Sequence, residues 1–389
     1  MIPYGRQEIT QEDIDRVVET LTSDYLTQGP AVPKFEAAIR TATGAAHCVA
    51  VNSATSALHL ACLALDLGPG DLLWTSPITF VASANVARLC GADVDFVDID
   101  AQTFNMSPKA LATKLADAKA AGRLPKVIMP VHMCGQSADM KEIGKLARAY
   151  GVRVIEDASH AIGGRYGGQP VGACQYSDIA VFSFHPVKIV TTAEGGAACA
   201  QNPDIAAKMA LLRSHGVTRD EALMTRPSEG PWYYQQVDLG LNYRLTELQA
   251  ALGISQMERL DAYVARRNAL ARRYDEDLNG LALERPGRQA GAYSAFHLYV
   301  IRVDPAIRRN VFEALRAEDI GVNVHYIPVH LQPYYENLGF KCSDFPVAEA
   351  YYASAISIPL YPGMTDADQG VVIHAVERAL ETAKASRSA

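Results

Sequence analysis

The sequence has no surplus of positive charge. Its 36 Lys and Arg stand against 43 Asp and Glu, for a net charge of −7. That balance argues against a nucleic-acid or anionic-membrane surface. No apolar run approaches the ~20 residues that a bilayer span requires. The first residues, Met1–Ile2–Pro3–Tyr4–Gly5–Arg6, lack the apolar core of a secretory leader. The 7 cysteines (Cys48, Cys62, Cys90, Cys134, Cys174, Cys199 and Cys342) form no Cys-x-x-Cys pair. Free thiols in a reducing compartment are therefore expected, rather than zinc or disulfides, and the expected location is cytoplasmic. Internal repeats and low-complexity stretches are also lacking. The glycine-rich run Gly163–Gly168 does not follow a strand end or show Gly-x-Gly-x-x-Gly spacing before a helix. It reads as a hairpin turn and not as a dinucleotide site.

What is present is an ordinary globular composition, 49% hydrophobic and 20% charged, over 389 residues. That length suits two domains. Thr10 and Asp13 form a capping-box start for a first helix. Strand patterns at Cys48–Asn52, Leu72–Ser76, Val94–Asp98, Val127–Val131, Val152–Glu156, Ile179–Ser183 and Gly196–Ala200 follow. Helical patterns at Ala57–Leu67, Ser83–Cys90, Pro108–Ala120 and Asp139–Tyr150 separate most of them. This alternation predicts an α/β class with a mostly parallel sheet between helices. The last two strands are joined too tightly for a crossover helix, which allows one of them to run antiparallel. A long helix over about Ile254–Leu278 is expected to link to an α+β region. That region has strands at His297–Val303 and Val322–His325 and helices at Pro305–Ala317 and Asp366–Lys384. The expected domains are 1–253, with the N-terminal segment, and 254–389.

The stretch Ala180–Gly196 carries the most information. A buried strand ends at His185–Pro186, Lys188 follows, and a small-residue turn leads into another apolar strand. A lone lysine after a strand is ordinarily solvated. Apolar strands on both sides would desolvate this one and lower its pKa, the condition for an amine that forms a Schiff base. A second strand, Val152–Glu156, delivers Asp157 at its C-terminal end, where open parallel sheets bind ligands. A strand-end Asp and a strand-end Lys on one sheet suit pyridoxal 5'-phosphate, with Asp157 on the pyridine nitrogen and Lys188 on the aldehyde. Asn52–Ser53–Ala54–Thr55–Ser56–Ala57 opens a helix after the first strand. Alone it is an ordinary cap, but beside Asp157 and Lys188 it suggests a phosphate site, to which Ser183 also points. Phe80 stands at a strand rim and either stacks on a ring or packs in the core. His160 either reaches the cofactor's phenolic oxygen or caps a helix.

These residues match a known family. The chain resembles the DegT/DnrJ/EryC1/StrS sugar aminotransferases. The matching motifs are Asn-Ser-Ala-Thr-Ser-Ala-Leu at 52–58, Thr-Ser-Pro-Ile-Thr-Phe at 75–80, Glu-Asp-Ala-Ser-His-Ala at 156–161, Phe-Ser-Phe-His-Pro-Val-Lys at 182–188, Thr-Thr-Ala-Glu-Gly-Gly at 191–196 and Leu-Asn-Tyr-Arg-Leu-Thr-Glu at 241–247. The resemblance implies the aspartate-aminotransferase-like fold (fold type I), with a large cofactor domain and a smaller C-terminal one. It implies that Lys188 holds the cofactor and shuttles protons and that Asp157 holds the pyridinium. Phe80 would stack, His160 would meet the phenolic oxygen, and Thr55, Ser56 and Ser183 would bind phosphate. Asn242 would reach the phosphate of a second subunit in a homodimer, or cap its own helix. His185–Pro186–Val187, Thr191–Glu194 and His325–His330 most resemble the pseudaminic-acid branch. That branch implies transfer of an amino group from glutamate to C4 of a UDP-linked 4-keto-6-deoxy-N-acetyl-hexosamine. His185, His325 and Tyr326 are then candidate substrate contacts. A different nucleotide keto sugar is the alternative. Dehydratases of the family carry histidine at the lysine position, and its regulators carry a fused DNA-binding domain, so both fit this chain less well.

Overall fold

All seven expected strands of the first half pair into one sheet, with no boundary moved by more than two residues. The computed structural model describes residues 1–388, so residue 389 of the expected second domain lies outside the described residues. The strands are β1 (His47–Val51), β2 (Leu72–Thr75), β3 (Asp93–Phe96), β4 (Val127–Met129), β5 (Arg153–Asp157), β6 (Ile179–Ser183) and β7 (Gly196–Ala200). Their order is β1-β7-β6-β5-β4-β2-β3. From β6 through β3 every pair is parallel, while β7 runs antiparallel to both β6 and β1. The reason is the connection Phe184–Gly195, which holds no helix and cannot return the chain for a parallel pairing.

Helices α1 (Gln11–Leu21), α2 (Ala31–Thr43), α3 (Ala54–Ala64), α4 (Ala82–Leu89), α5 (Pro108–Ala120), α6 (Met140–Tyr150), α7 (Pro203–Arg213), α8 (Glu247–Met257) and α9 (Leu260–Asp277) accompany this sheet. Strands β6 and β7 are buried along their whole length, as a sheet covered on both faces requires. Helix α3 starts three residues earlier than its apolar pattern suggested, because the Ser53 hydroxyl accepts from the Ser56 N–H and caps it there. The glycine-rich run is the predicted hairpin, Arg165–Tyr166 pairing with Gln169–Pro170 around Gly167 and Gly168 at φ 58° and 81°.

Two expectations fail beyond the sheet. The single long helix over 254–278 is two helices, α8 and α9, broken at Glu258–Arg259. At the break Arg259 turns to Asp13 of α1, and its Nη2 lies 2.7 Å from each carboxylate oxygen. Val322–His325 is not a strand, because Asn323 makes an isolated bridge to Ser357 while its side chain takes the next N–H, that of Val324.

A second core gathers around the antiparallel pair Tyr299–Arg302 and Ala355–Ile358, with helix Arg308–Ala317 and the C-terminal helix Asp366–Ser388. Helix α9 joins the two regions, packing Leu260, Tyr263 and Val264 into the first and Leu270, Ala271 and Tyr274 into the second. Between these sets lies Arg267, 1% exposed. Its Nη1 donates to the carbonyls of Phe296, His297 and Leu360 at 3.1, 3.2 and 3.0 Å. Burial lowers its pKa to about 9. No helix among the described residues is long and apolar enough to cross a membrane.

The Asp13 junction yields a prediction. Burial alone pushes this carboxyl up, but Arg259, the Thr10 N–H, Ser255 and Gln256 reverse the effect and leave it below its ordinary value. A carboxylate held low stabilises the fold above its unfolded pKa, about 3.9. That contribution is lost as pH falls through the still lower folded value. Asp13→Ala should cost about 2–4 kcal/mol near neutrality, because it strands Arg259. It should also flatten the fall in melting temperature below about pH 4. Thermal melts of both proteins between pH 7 and pH 3 test this.

Candidate active site

The C-terminal ends of β5 and β6 carry the key groups. Asp157 ends β5, where its N–H donates to Pro130 O at 2.9 Å and its carbonyl accepts from His132 N at 3.0 Å. Both sides of this peptide are thus fixed. Its carboxylate accepts from Ser83 Oγ at 2.6 Å and from the Ser159 N–H at 3.1 Å. Asp157 pairs in register with Val181 of β6, so the residues following β6 emerge beside it. The connection that follows is pinched shut. Phe184 N donates to Gly195 O, and Thr192 N donates to Phe184 O, both at 2.9 Å. Phe184, Ile189 and Val190 are buried and anchor the loop.

Lys188 projects from this loop into a cavity of about 440 Å³. Its amine makes no hydrogen bond or ion pair among the described residues. Burial lowers its pKa to about 8, with Asp157 pulling the other way. The residue as a whole is only half-buried, because the cavity is open on one side. An amine in this state is a nucleophile near neutral pH.

Helix α3 aims its N-terminus at the same cavity. The N–H groups of Ala54 and Thr55 donate to no group among the described residues, and a helix start in that condition attracts anions. This approach depends on Gly196 of β7. A Cβ there would lie 2.5 Å from the backbone of Ser53 and Ala54, so no side chain fits. Ser53, Thr55 and Ser183 all line the cavity. Ser56 does not. Its hydroxyl turns inward and donates to Asn52 Oδ1 at 2.6 Å.

The opposite wall comes from the second region and the N-terminal segment. His325, Tyr326, His297 and Tyr4 join His160, His185 and Phe80 around Lys188. The Tyr326 hydroxyl and His160 Nε2 share a hydrogen bond of 3.2 Å, and His325 Nδ1 lies 2.8 Å from Ser357 Oγ. Burial holds the imidazoles of His160, His297 and His325 below the ordinary range, and Lys188 lowers them further. His160 Nδ1 is buried and has no partner. Phe80 is 59% exposed, which removes the core-packing alternative. Asn242 is exposed and absent from this wall, and it is not a cap, since Thr246 caps α8.

Thus Thr55, Phe80, Asp157, His160, Ser183, His185, Lys188, His325 and Tyr326 come together, while Ser56 and Asn242 stand apart. Ser83, His297 and Tyr4 were not anticipated. Ser83 had a readable signal, lying in the first turn of the helix that opens just after Thr79 and Phe80. Tyr4 had none. It arrives because the N-terminal segment pairs with Ile320 and Gly321.

The model of the DegT/DnrJ/EryC1/StrS aminotransferase family matches residues 7–377. The chain belongs to this family. Among relatives of the aminotransferase, the spore coat polysaccharide biosynthesis protein SpsC of Bacillus subtilis is 40% identical over 382 residues, with 96% of each chain covered. The UDP-4-amino-4,6-dideoxy-N-acetyl-beta-L-altrosamine transaminase of Campylobacter jejuni is 36% identical over 389 residues, with 99% of each covered. The putative sugar aminotransferase Spr1654 of Streptococcus pneumoniae, solved in a PLP form, superposes with a TM-score of 0.89 at 31% identity, covering 98% of this chain and 99% of that one. The aminotransferase therefore has the fold-type-I architecture and depends on pyridoxal phosphate.

The lowered Lys188 pKa can be read directly. In cofactor-free protein, labelling of Lys188 by an amine-reactive probe should rise through about pH 8. Ordinary lysines should need a pH near 10.4. Asp157→Asn should move the Lys188 midpoint down, since it removes the one charge favouring the ammonium form. Peptide mass spectrometry across a pH series reports both.

Proposed function

We propose that the aminotransferase moves the amino group of glutamate to C4 of a UDP-linked 4-keto-6-deoxy-N-acetyl-hexosamine, a step in nucleotide-sugar biosynthesis of the pseudaminic-acid type. The unpartnered Lys188 amine facing Asp157 across one cavity supports the transamination. The C. jejuni relative's name supports the sugar. SpsC, slightly more identical, favours a second reading in which another nucleotide keto sugar is aminated. The groups that line the cavity support an assignment of the cofactor's parts. The free N–H groups of Ala54 and Thr55, with the hydroxyls of Thr55 and Ser183, would hold the phosphate. Asp157 would hold the ring nitrogen as a cation, Phe80 would cover the ring face, and the His160 imidazole would meet the phenolic oxygen. Ser56, with its hydroxyl occupied by Asn52, has no direct part in this assignment.

When bound, the cofactor supplies the aldehyde carbon that accepts an amino group from one substrate and gives it to the next. The chain's own work is positional and protonic. Lys188 anchors the cofactor and then carries a proton on Nζ between neighbouring carbons, for which a pKa near 8 is well matched. Asp157 keeps positive charge on the ring nitrogen throughout. His185, His325 and Tyr326 would orient the hexose, and the buried walls exclude water.

The homodimer belongs to this reading. Ile14, Val18 and Leu21 present one apolar face of α1 to solvent, with Tyr25 and Leu26 beyond it. Asn242 and its neighbour Leu239 are likewise exposed. A second copy covering these surfaces would bring Asn242 to the partner's phosphate. We also assign residues 1–253 and 254–389 to the two domains, and the reaction to the cytoplasm.

Two experiments test the assignment. Lys188→Ala should abolish turnover, and Asp157→Asn should lower it by about 100-fold or more with the fold intact. Wild-type rates in either variant would remove the mechanism. With a panel of UDP-4-keto sugars and glutamate, mass spectrometry should show the 4-keto-6-deoxy-L-hexosamine aminated much faster than its D-gluco-type epimer. His325→Ala should slow the sugar half-reaction while sparing the glutamate half. Equal use of both epimers would favour the second reading.

A further inference from the structure

The carboxylate of Asp157 does not stand alone. Ser83 Oγ donates to its Oδ2 at 2.6 Å, and Thr79 Oγ1 lies 2.7 Å from Ser83 Oγ. Thr79, Ser83 and Asp157 are 2%, 0% and 5% exposed. The direction of this chain is fixed by proton counting. An ionised carboxylate only accepts, so the single Ser83 proton points to Asp157, and the Thr79 proton must then point to Ser83. The carbonyl of Phe80 competes weakly for Ser83, at 3.4 Å. The other carboxylate oxygen takes the Ser159 N–H at 3.1 Å. Each oxygen is thus held by one donor from the protein, and Asp157 still lines the cavity.

We infer that Ser83, and Thr79 acting through it, are positioning residues for Asp157: two buried hydroxyls in series aim the carboxylate at the ring nitrogen. This rests on the reading of Asp157 as the ring nitrogen's partner. A buried carboxylate without donors either rotates or takes up a proton. Donors in series polarise one another, which strengthens the bond that reaches the charge. The same segment, 79–83, also carries Phe80 on the cavity wall, so one turn of chain governs both the ring-facing aromatic and the aim of Asp157.

The test compares two ligands in a Lys188→Ala background, where binding is noncovalent. One is pyridoxal phosphate, and the other is its 1-deaza analogue, in which C–H replaces the ring nitrogen. Equilibrium dialysis gives the dissociation constants, and melts of the cofactor-free proteins check the fold. Ser83→Ala should weaken pyridoxal phosphate about tenfold, as for one hydrogen bond to a charge, and leave the analogue within about twofold. Thr79→Val should give a smaller loss, about threefold and again for pyridoxal phosphate alone, and Thr79→Ser should restore binding. Equal losses for both ligands would mean that the hydroxyls only support the fold, which overturns the inference, as would no loss at all. Asp157→Asn serves as the control. If the Lys188→Ala parent binds both ligands alike, the Asp157 reading itself fails. If the parent discriminates and Ser83→Ala does so equally well, only the positioning role fails.

Discussion

The pairing of β5 with β6 in parallel register is the constraint on which the site depends. It sets Asp157 beside Val181 and so brings an anionic strand end next to the loop that carries Lys188. Neither group could be left there alone. The amine is kept within reach of neutrality by burial, offset by the nearby carboxylate. The carboxylate is held by hydroxyl and amide donors instead of by a cation. That leaves its charge available, since a salt bridge in the same place would have consumed it.

Antiparallel β7 completes the arrangement at a cost in side chains. Gly196 must stay bare so that the backbone of Ser53 and Ala54 can approach, and this contact directs α3 at the cavity. The helix start after β1, the strand-end acid of β5 and the loop amine after β6 then converge on one cavity. The fourth wall, with its histidines and Tyr326, comes from the other core and from the N-terminal segment, and it closes the cavity from the far side.

Much of this was legible in order along the chain. Alternating apolar runs located the sheet. The tight connection before Gly196 foretold a reversed strand, and Asp157 and Lys188 stood out as polar residues delivered by buried strands. What escaped were features set by distant contacts. The break between α8 and α9 arises because Arg259 answers to Asp13, some 246 residues away. Asn323 spends its side chain on its own neighbour, which no alternation pattern reveals. Ser56 shares a hydroxyl-rich motif with Ser53 and Thr55, yet only rotamers decide which of them face the cavity. Tyr4 depends on a pairing between the two ends of the chain. Strand ends could therefore be read from the sequence, whereas side-chain direction and long-range closure could not.

Arg267 bears on how such a site can open. Its guanidinium sits where α9 passes from one core to the other, held by three carbonyls and, among the described residues, by no acid. Two of those carbonyls belong to Phe296 and His297, which adjoin the cavity wall. Sliding one core over the other would pull a cation away from its dipoles inside an apolar medium, a step that costs several kcal/mol. The Arg267 contacts therefore oppose sliding of one core over the other. In a sugar aminotransferase an amino donor and a sugar use one cavity in turn, and this contact ties the two cores together beside it.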